Sequence, residues 1–296
     1  MKKHHSFEFP AMGGEGKLYF IEEYALAQEA SGAAIHEIMR IEVKYSRYRV
    51  DNMMAKINTA AKNGSSVELD EETGGLIDFA FACYKQSDGL FDISSGPLRQ
   101  VWDFSTNHVP GSEQIGKLLP RIGMDKVSWN GSHLSFQTSG MELDFGGIGK
   151  EYAVDRAADI CHALGVRSAL VDLGGDIRVV GPSPDGHPWS IFIRHPRRPD
   201  EAAKTIALVR GAVATSGDYE RYFEVNGRRY CHVINPKSGN PVQTLCSATV
   251  TADRCMAAGA AATIAMLKEQ DAERWLSDNH FSSYWMAIDG ACGGNL

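Results

Sequence analysis

Runs of positive charge are missing from this 296-residue chain: Lys and Arg never exceed two in a row, and 37 acidic residues outnumber 30 basic ones for a formal net charge of −7. Attraction to a nucleic-acid backbone or an anionic bilayer is therefore not built in, and no nucleic acid is expected as a partner. CxxC pairs are missing too. The six cysteines (Cys83, Cys161, Cys231, Cys246, Cys255 and Cys292) are scattered, with no His at zinc-finger spacing, so they read as reduced, mostly buried thiols rather than a disulfide framework or a structural metal site. No stretch reaches the roughly 20 apolar residues that cross a bilayer; Met256 to Leu267, the longest weakly polar run, is Ala-rich and reads as a packed helix. The amino terminus, Met1 to Phe7, runs into a polar mixture where an export signal needs about 7–15 apolar residues, so the expected location is the cytoplasm. With neither a Pro/Ser-rich linker nor a repeat, the chain is expected to form a single domain over 1–296.

What is present is helical periodicity interleaved with short alternating runs. Glu22 to Tyr45 spaces Leu26, Ala30, Ala33, Ala34, Ile38 and Ile41 as one face of a long helix that opens the fold, and Asp70 to Cys83 repeats the pattern with acidic residues at its start and Gly89 beyond its end. Hairpins are expected around Asn130-Gly131, Ser139-Gly140, Gly174-Gly175 and Pro184-Asp185-Gly186. The strongest hairpin signal is Tyr222 to Ile234, alternating on both sides of Asn226-Gly227. Helices over Cys255–Leu267 and around Asp271–Asp278 and a strand over Ser283–Ile288 complete the chain. Without a regular βαβ period, the fold class is mixed α+β.

Chemistry concentrates in glycine turns. The segment from Leu143 to Arg156 reads as a strand end, the turn Gly146-Gly147-Ile148-Gly149, and a helix that buries Ile148, Tyr152, Ala153, Cys161 and Leu164. The unpartnered amides of such a helix start hold a phosphate well, although a tight structural turn has the same appearance. It is not a Walker loop: Asp144 stands where the first glycine belongs, and Glu151 follows Lys150 in place of Ser or Thr. Further turns follow strands at Leu173-Gly174-Gly175-Asp176 and Ala214-Thr215-Ser216-Gly217-Asp218, and loops at strand ends are where open sheets bind ligands. His232 ends a strand before the loop Asn235 to Pro241; a surface histidine is the plainer alternative, and the loop is a candidate for closing on a ligand.

Taken in order, these segments resemble the FAD:protein FMN transferase (ApbE) family over most of the chain. The pieces are Ala11-Met12-Gly13, Tyr45 to Arg49 with Ile57-Asn58, Gly89 to Ile93 with Gly96-Pro97-Leu98 and Trp102, Asp144 to Asp155, Leu173 to Asp176, Ala214 to Tyr219, His232 to Pro236 with Gly239 and Pro241, and Cys255 to Thr263. The resemblance implies a mixed, T-fold-related flavin transferase fold. It implies an enzyme that cleaves FAD at its diphosphate with Mg²⁺, passes FMN to a Ser or Thr hydroxyl of an acceptor flavoprotein and releases AMP. In that picture Met12 and Tyr48 offer faces to a ring, Leu90 and Phe91 line the nucleotide, Asp144, Lys150 and Ser216 approach it, Ile234 offers its backbone, and His232 is the general base. The metal would draw on the Gly147 carbonyl and the Thr263 hydroxyl.

The carboxyl-terminal motif of the family, Cys-x-x-Ala-Asp-x-x-x-Thr, stands here as Cys255 to Thr263 with Gly259 in place of the metal-ligating Asp. Mg²⁺ prefers at least one carboxylate, so metal binding is expected to be weak unless another acid, such as Asp253, replaces it. Gly14 where the family usually has Thr and Asn52 where it has Ser are milder departures. The missing Asp keeps two alternatives open: a flavin-binding protein without catalysis, and an FAD pyrophosphatase that uses water in place of an acceptor.

Overall fold

The computed structural model describes residues 3–296; Met1 and Lys2 lie outside the described residues. The chain opens with a hairpin, not with the long helix. β1 (Lys3–Ala11) and β2 (Gly14–Glu22) pair antiparallel across Met12 and Gly13, both left-handed at φ 54° and 76°, a turn whose twist matches the strands. A Met at positive φ is uncommon, which hides this turn from a reading of turn residues. α1 (Tyr24–Tyr45) follows, burying Ala27, Ala30, Ala34, Ile38 and Ile41. α2 (Met53–Asn63) is capped by Asn52, whose Oδ1 accepts the Ala55 N–H at 2.9 Å while its Nδ2 donates to the Val43 and Ser46 carbonyls. Asn52 therefore does the work of a capping Ser at that corner.

β3 (Ser66–Glu68) leads into α3 (Glu71–Gln86), capped by Asp70, and α4 (Ser112–Gly116) precedes the hairpin of β4 (Val127–Trp129) and β5 (His133–Phe136). The hairpin expected at Ser139-Gly140 does not form. Asn58 grips the backbone of Leu143 instead, donating to its carbonyl at 3.0 Å and accepting its N–H at 2.7 Å, and Glu142 makes only an isolated bridge to Ser95. α5 (Gly149–Ala163) buries Ala153 and Cys161 with Ile148 before it, but Leu164, just past its end, is exposed.

β6 (Ala169–Leu173) and β7 (Asp176–Gly181) pair across Gly174-Gly175 as expected. After Pro184-Asp185-Gly186 the chain leaves the sheet: β8 (Trp189–His195) pairs with β9 (Arg198–Leu208), and this ribbon lays Trp189, Ile191, Ile206 and Leu208 over Leu170, Val179 and Val213. β10 (Gly211–Gly217) runs through Thr215 and Ser216 as strand rather than turn. β11 (Tyr222–Val225) and β12 (Arg228–Cys231) form the expected hairpin, with Asn226 and Gly227 at φ 52° and 75°. β13 (Leu245–Ala252), α6 (Cys255–Lys268), α7 (Ala272–Asp278), β14 (Ser282–Ala287) and β15 (Cys292–Gly294) close the chain.

Eight strands form one antiparallel sheet in the order β1-β2-β6-β7-β10-β13-β14-β15. The main core lies between this sheet and α1, α5 and α6, the β8–β9 ribbon covering the opposite face. Among the described residues no helix is long and apolar enough to cross a membrane.

Candidate active site

The glycine turn enters α5 with Ile148 as its N-cap, a residue with no side-chain acceptor; the Gly149 N–H donates to the Phe145 carbonyl at 2.7 Å, so of the first-turn amides those of Lys150 and Glu151 are without a backbone carbonyl and suit an anion. The turn rests on Phe91, a buried ring only 3.3 Å from where a Cβ on Gly147 would stand. Leu90, beside it, packs instead toward α6 among Ala261, Ala262 and Ala265. Asp144 shapes the entry to the turn: its Oδ1 accepts the Gly146 N–H at 2.9 Å and its Oδ2 pairs with Arg47. The Arg47 guanidinium lies 5.0 Å from the centre of the Tyr48 ring and donates to the Tyr48 hydroxyl at 2.9 Å. Tyr48 is 78% exposed, so Arg47 steadies an aromatic face that is open to a ligand.

Lys150 leaves the first turn of α5 and meets Asp176 at 2.7 Å; Asp176 is buried, and its other oxygen accepts the Thr215 N–H at 3.3 Å. The Lys150 Nζ also lies 3.9 Å from where a Cβ on Gly174 would stand, so the β6–β7 turn closes over the ammonium group. Burial alone would lower its pKa, but the carboxylates of Asp176 and Glu151 outweigh that and hold it protonated. Half-buried Ser216 is the next residue along β10.

His232 follows β12 directly, its N–H donating to the Arg221 carbonyl at 3.0 Å. Its surface meets solvent, yet the surrounding chain desolvates the ring, and the charges of Arg221 and Lys150 act with that to push the imidazole below its usual 6.5. Arg221 reaches across to the β1–β2 turn, its Nη2 being 3.8 Å from where a Cβ on Gly13 would stand, which brings Met12 to the same mouth. The Ile234 side chain packs with Leu98, Trp102 and Ile115, and the bonds Asn235 N–H to Asn240 O and Val242 N–H to Val233 O leave its own N–H and C=O outside that ladder. The loop after it is anchored at Gly239. Trp102 Nε1 donates to the Gly239 carbonyl at 2.7 Å, and Gly239, at φ 69°, has Ile115 Cγ2 only 2.3 Å from a would-be Cβ.

The donors expected to hold a metal sit where α5 and α6 meet. Gly147 lies in the turn two residues before α5, while Gly259 and Thr263 are one turn apart on the same side of α6. Gly259 leaves no empty hollow. The Glu151 side chain lies against it, its Cγ 2.5 Å and its Oε1 2.9 Å from where a Cβ would stand. Glu151 is only 6% exposed, and its Oε2 has no hydrogen-bond partner. Burial, and then the charge of Asp176, raises its carboxyl well above the usual carboxylate range. Asp253 is exposed and lines a hollow with Leu208, Arg210, Thr251 and Phe281, away from this meeting point. Among the described residues no three His, Cys, Asp or Glu are grouped to hold a metal by themselves.

Sequence reasoning assigned no role to Arg47, Asp176, Glu151 or Arg221. Arg47, Asp176 and Glu151 lie inside the motifs already singled out, but what Glu151 faces becomes visible only when α6 is laid beside it. Residues 12–285 match the ApbE family. The chain is 30% identical over 256 residues to the FAD:protein FMN transferase of Haemophilus influenzae, covering 82% of this chain and 74% of that protein. It superposes on the ApbE protein of Thermotoga maritima with a TM-score of 0.91 at 30% identity, covering 99% of this chain and 97% of that one. On the apo flavinyl transferase ApbE of Pseudomonas stutzeri the TM-score is 0.88 at 28% identity, covering 99% and 95%. With its mixed helix-and-sheet fold and its ordered motifs, the chain belongs to the ApbE family.

Proposed function

We propose that this protein is an FAD:protein FMN transferase, the activity for which its Haemophilus influenzae relative is named. The observation that carries this reading is the nearness of a partly unsatisfied helix start, a protonated Lys150 and a His232 whose ring feels the Lys150 charge. The α5 amides and Lys150 bind the FAD diphosphate, and Tyr48 and Met12 face its rings. His232 takes the proton from a Ser or Thr hydroxyl of the acceptor. The hydroxyl oxygen bonds to the FMN-side phosphorus, the bond from that phosphorus to the bridging oxygen breaks, and AMP leaves with the electron pair. The depressed pKa keeps His232 neutral near pH 7, the form a base requires.

Mg²⁺ is the metal this reading calls for. The Gly147 carbonyl and the Thr263 hydroxyl are its neutral donors, and when bound it offsets the charge that grows on the phosphate oxygens. A single domain over 1–296 is part of the same proposal, supported by one sheet that takes strands from both ends of the chain. A cytoplasmic location fits six free thiols, five of them buried.

The test incubates the purified chain with FAD, millimolar MgCl₂ and a candidate acceptor, following the acceptor's mass and AMP by chromatography. A mass gain of one FMN with matching AMP is expected. AMP and free FMN without an acceptor would point to a pyrophosphatase. Gly259 favours a second reading, FAD binding without transfer, for which FAD binds and no AMP appears with any acceptor.

A further inference from the structure

We propose that Glu151 supplies the carboxylate of a divalent-cation site at the meeting of α5 and α6, replacing the side chain that Gly259 lacks. The inference deepens the transferase reading and rests on it for the phosphate oxygens that complete the site. Three observations converge. Glu151 is only 6% exposed and its Oε2 has no hydrogen-bond partner; with the buried Asp176 carboxyl close by, such an oxygen is stable only when a proton or a cation meets it. Its carboxyl group lies 3.0 Å from the point where a side chain at 259 would begin, so it occupies the space a carboxylate on α6 would take. Thr263 stands one turn on from Gly259 on the same side of α6, and Gly147 lies in the turn that leads into the helix carrying Glu151, so the expected hydroxyl and carbonyl donors belong to the same two elements.

The two positions are sterically exclusive as they stand. A Cβ at 259 would be 2.5 Å from Glu151 Cγ, closer than carbon atoms approach, so an acid fits on α5 or on α6 but not on both. A carboxylate moved from one helix to the facing one keeps both the charge and the volume of the site. Lys150 pairs directly with Asp176 and acts on Glu151 through charge alone, so the Glu151 Oε2 keeps no hydrogen-bond partner.

The experiment titrates Mn²⁺ into the full chain, with and without FAD, and reads free Mn²⁺ by electron paramagnetic resonance. FAD binding in EDTA is followed separately by fluorescence. Glu151→Gln keeps the shape and removes the charge. It is expected to weaken Mn²⁺ binding at least about tenfold, the low end of the loss from removing even an outer partner of a metal ligand, while FAD binding in EDTA is unchanged. The double variant Glu151→Gly with Gly259→Asp is expected to restore Mn²⁺ affinity, and Gly259→Asp alone to lower the unfolding temperature through the clash. Equal Mn²⁺ affinity in the parent and Glu151→Gln, or no Mn²⁺ binding by the parent at millimolar concentration, would overturn the assignment. Failure to bind FAD would overturn the transferase reading instead, and the Mn²⁺ titration without FAD would still judge Glu151.

Discussion

His232 shows how a single side chain is tuned by its surroundings. Desolvation comes first and the positive charges of Arg221 and Lys150 second, with Glu220 opposing them, and the balance sits below 6.5. A base works when deprotonated, so FMN transfer is expected to rise with pH through a midpoint below 6.5 and to stay flat above it; a pH–rate profile measured under single-turnover conditions checks this. His232→Asn should lower transfer by about 10²-fold or more and leave FAD affinity unchanged, because the diphosphate is held from α5. A midpoint above 6.5, or transfer that survives the substitution, would remove His232 from the role of base. At this scale much of the site was legible in advance. Gly, Asp, Lys and His mark their chemistry by type, and the ordered motifs placed them. What was not legible was pairing. Asp176 on Lys150 and Arg47 on Asp144 arise from packing between distant segments, and nothing at positions 151 and 259 taken separately says that one side chain fills the space of the other.

At the scale of elements, α6 shows a helix whose start is capped by its neighbour. Its own N-cap, Arg254, supplies no acceptor. Asp155 on α5 accepts the Cys255 N–H at 2.9 Å and the Met256 N–H at 3.0 Å, while Arg178 pairs with the same carboxylate at 2.8 Å. Replacing Asp155 by Ala strands two first-turn amides, so a loss of about 1–2 kcal/mol of unfolding free energy is expected, as for other helix caps, and denaturant unfolding measures it. Because this cap fixes α6 against α5, the same variant should weaken Mn²⁺ binding at their junction more than it weakens FAD. The helices α1, α3 and α6 and the Asn226-Gly227 hairpin could be read from periodicity and turn chemistry, since their signals are local. The β1–β2 hairpin could not, because its turn uses Met12 in a left-handed conformation, and the Ser139-Gly140 hairpin was misread because Asn58, far off in sequence, holds Leu143 in another pairing.

Across the whole molecule, the layer of helices is tied together by charge as well as by apolar packing. Glu72 on α3 accepts from Arg40 and Lys44 on α1 and from Tyr152 on α5, the last at 2.9 Å, and Arg40 is shared with Glu37. Burial acts to raise the Glu72 pKa, but the three donors outweigh it and hold it at about 2, against 4.5 for an unperturbed glutamate. A carboxylate whose pKa is depressed by folding stabilises the native state above its unfolded pKa, and that contribution disappears as the pH falls through the folded value. The network should therefore contribute fully at neutral pH, begin to fail below about pH 4.5 and be gone near pH 2. Glu72→Gln should lower the unfolding temperature at pH 7 and show a smaller further loss than the parent between pH 5 and pH 3. Thermal unfolding of both proteins across that range decides it, and parallel curves would mean that Glu72 titrates alike in the folded and unfolded chains. The same three helices carry Arg47 just past α1, Tyr152 behind the glycine turn and Lys150 at the start of α5, so partial acid loosening of the network should reach the crevice before the sheet. FAD affinity is accordingly expected to decline at a higher pH than the strand hydrogen bonds, which hydrogen exchange in β10 and β13 would report.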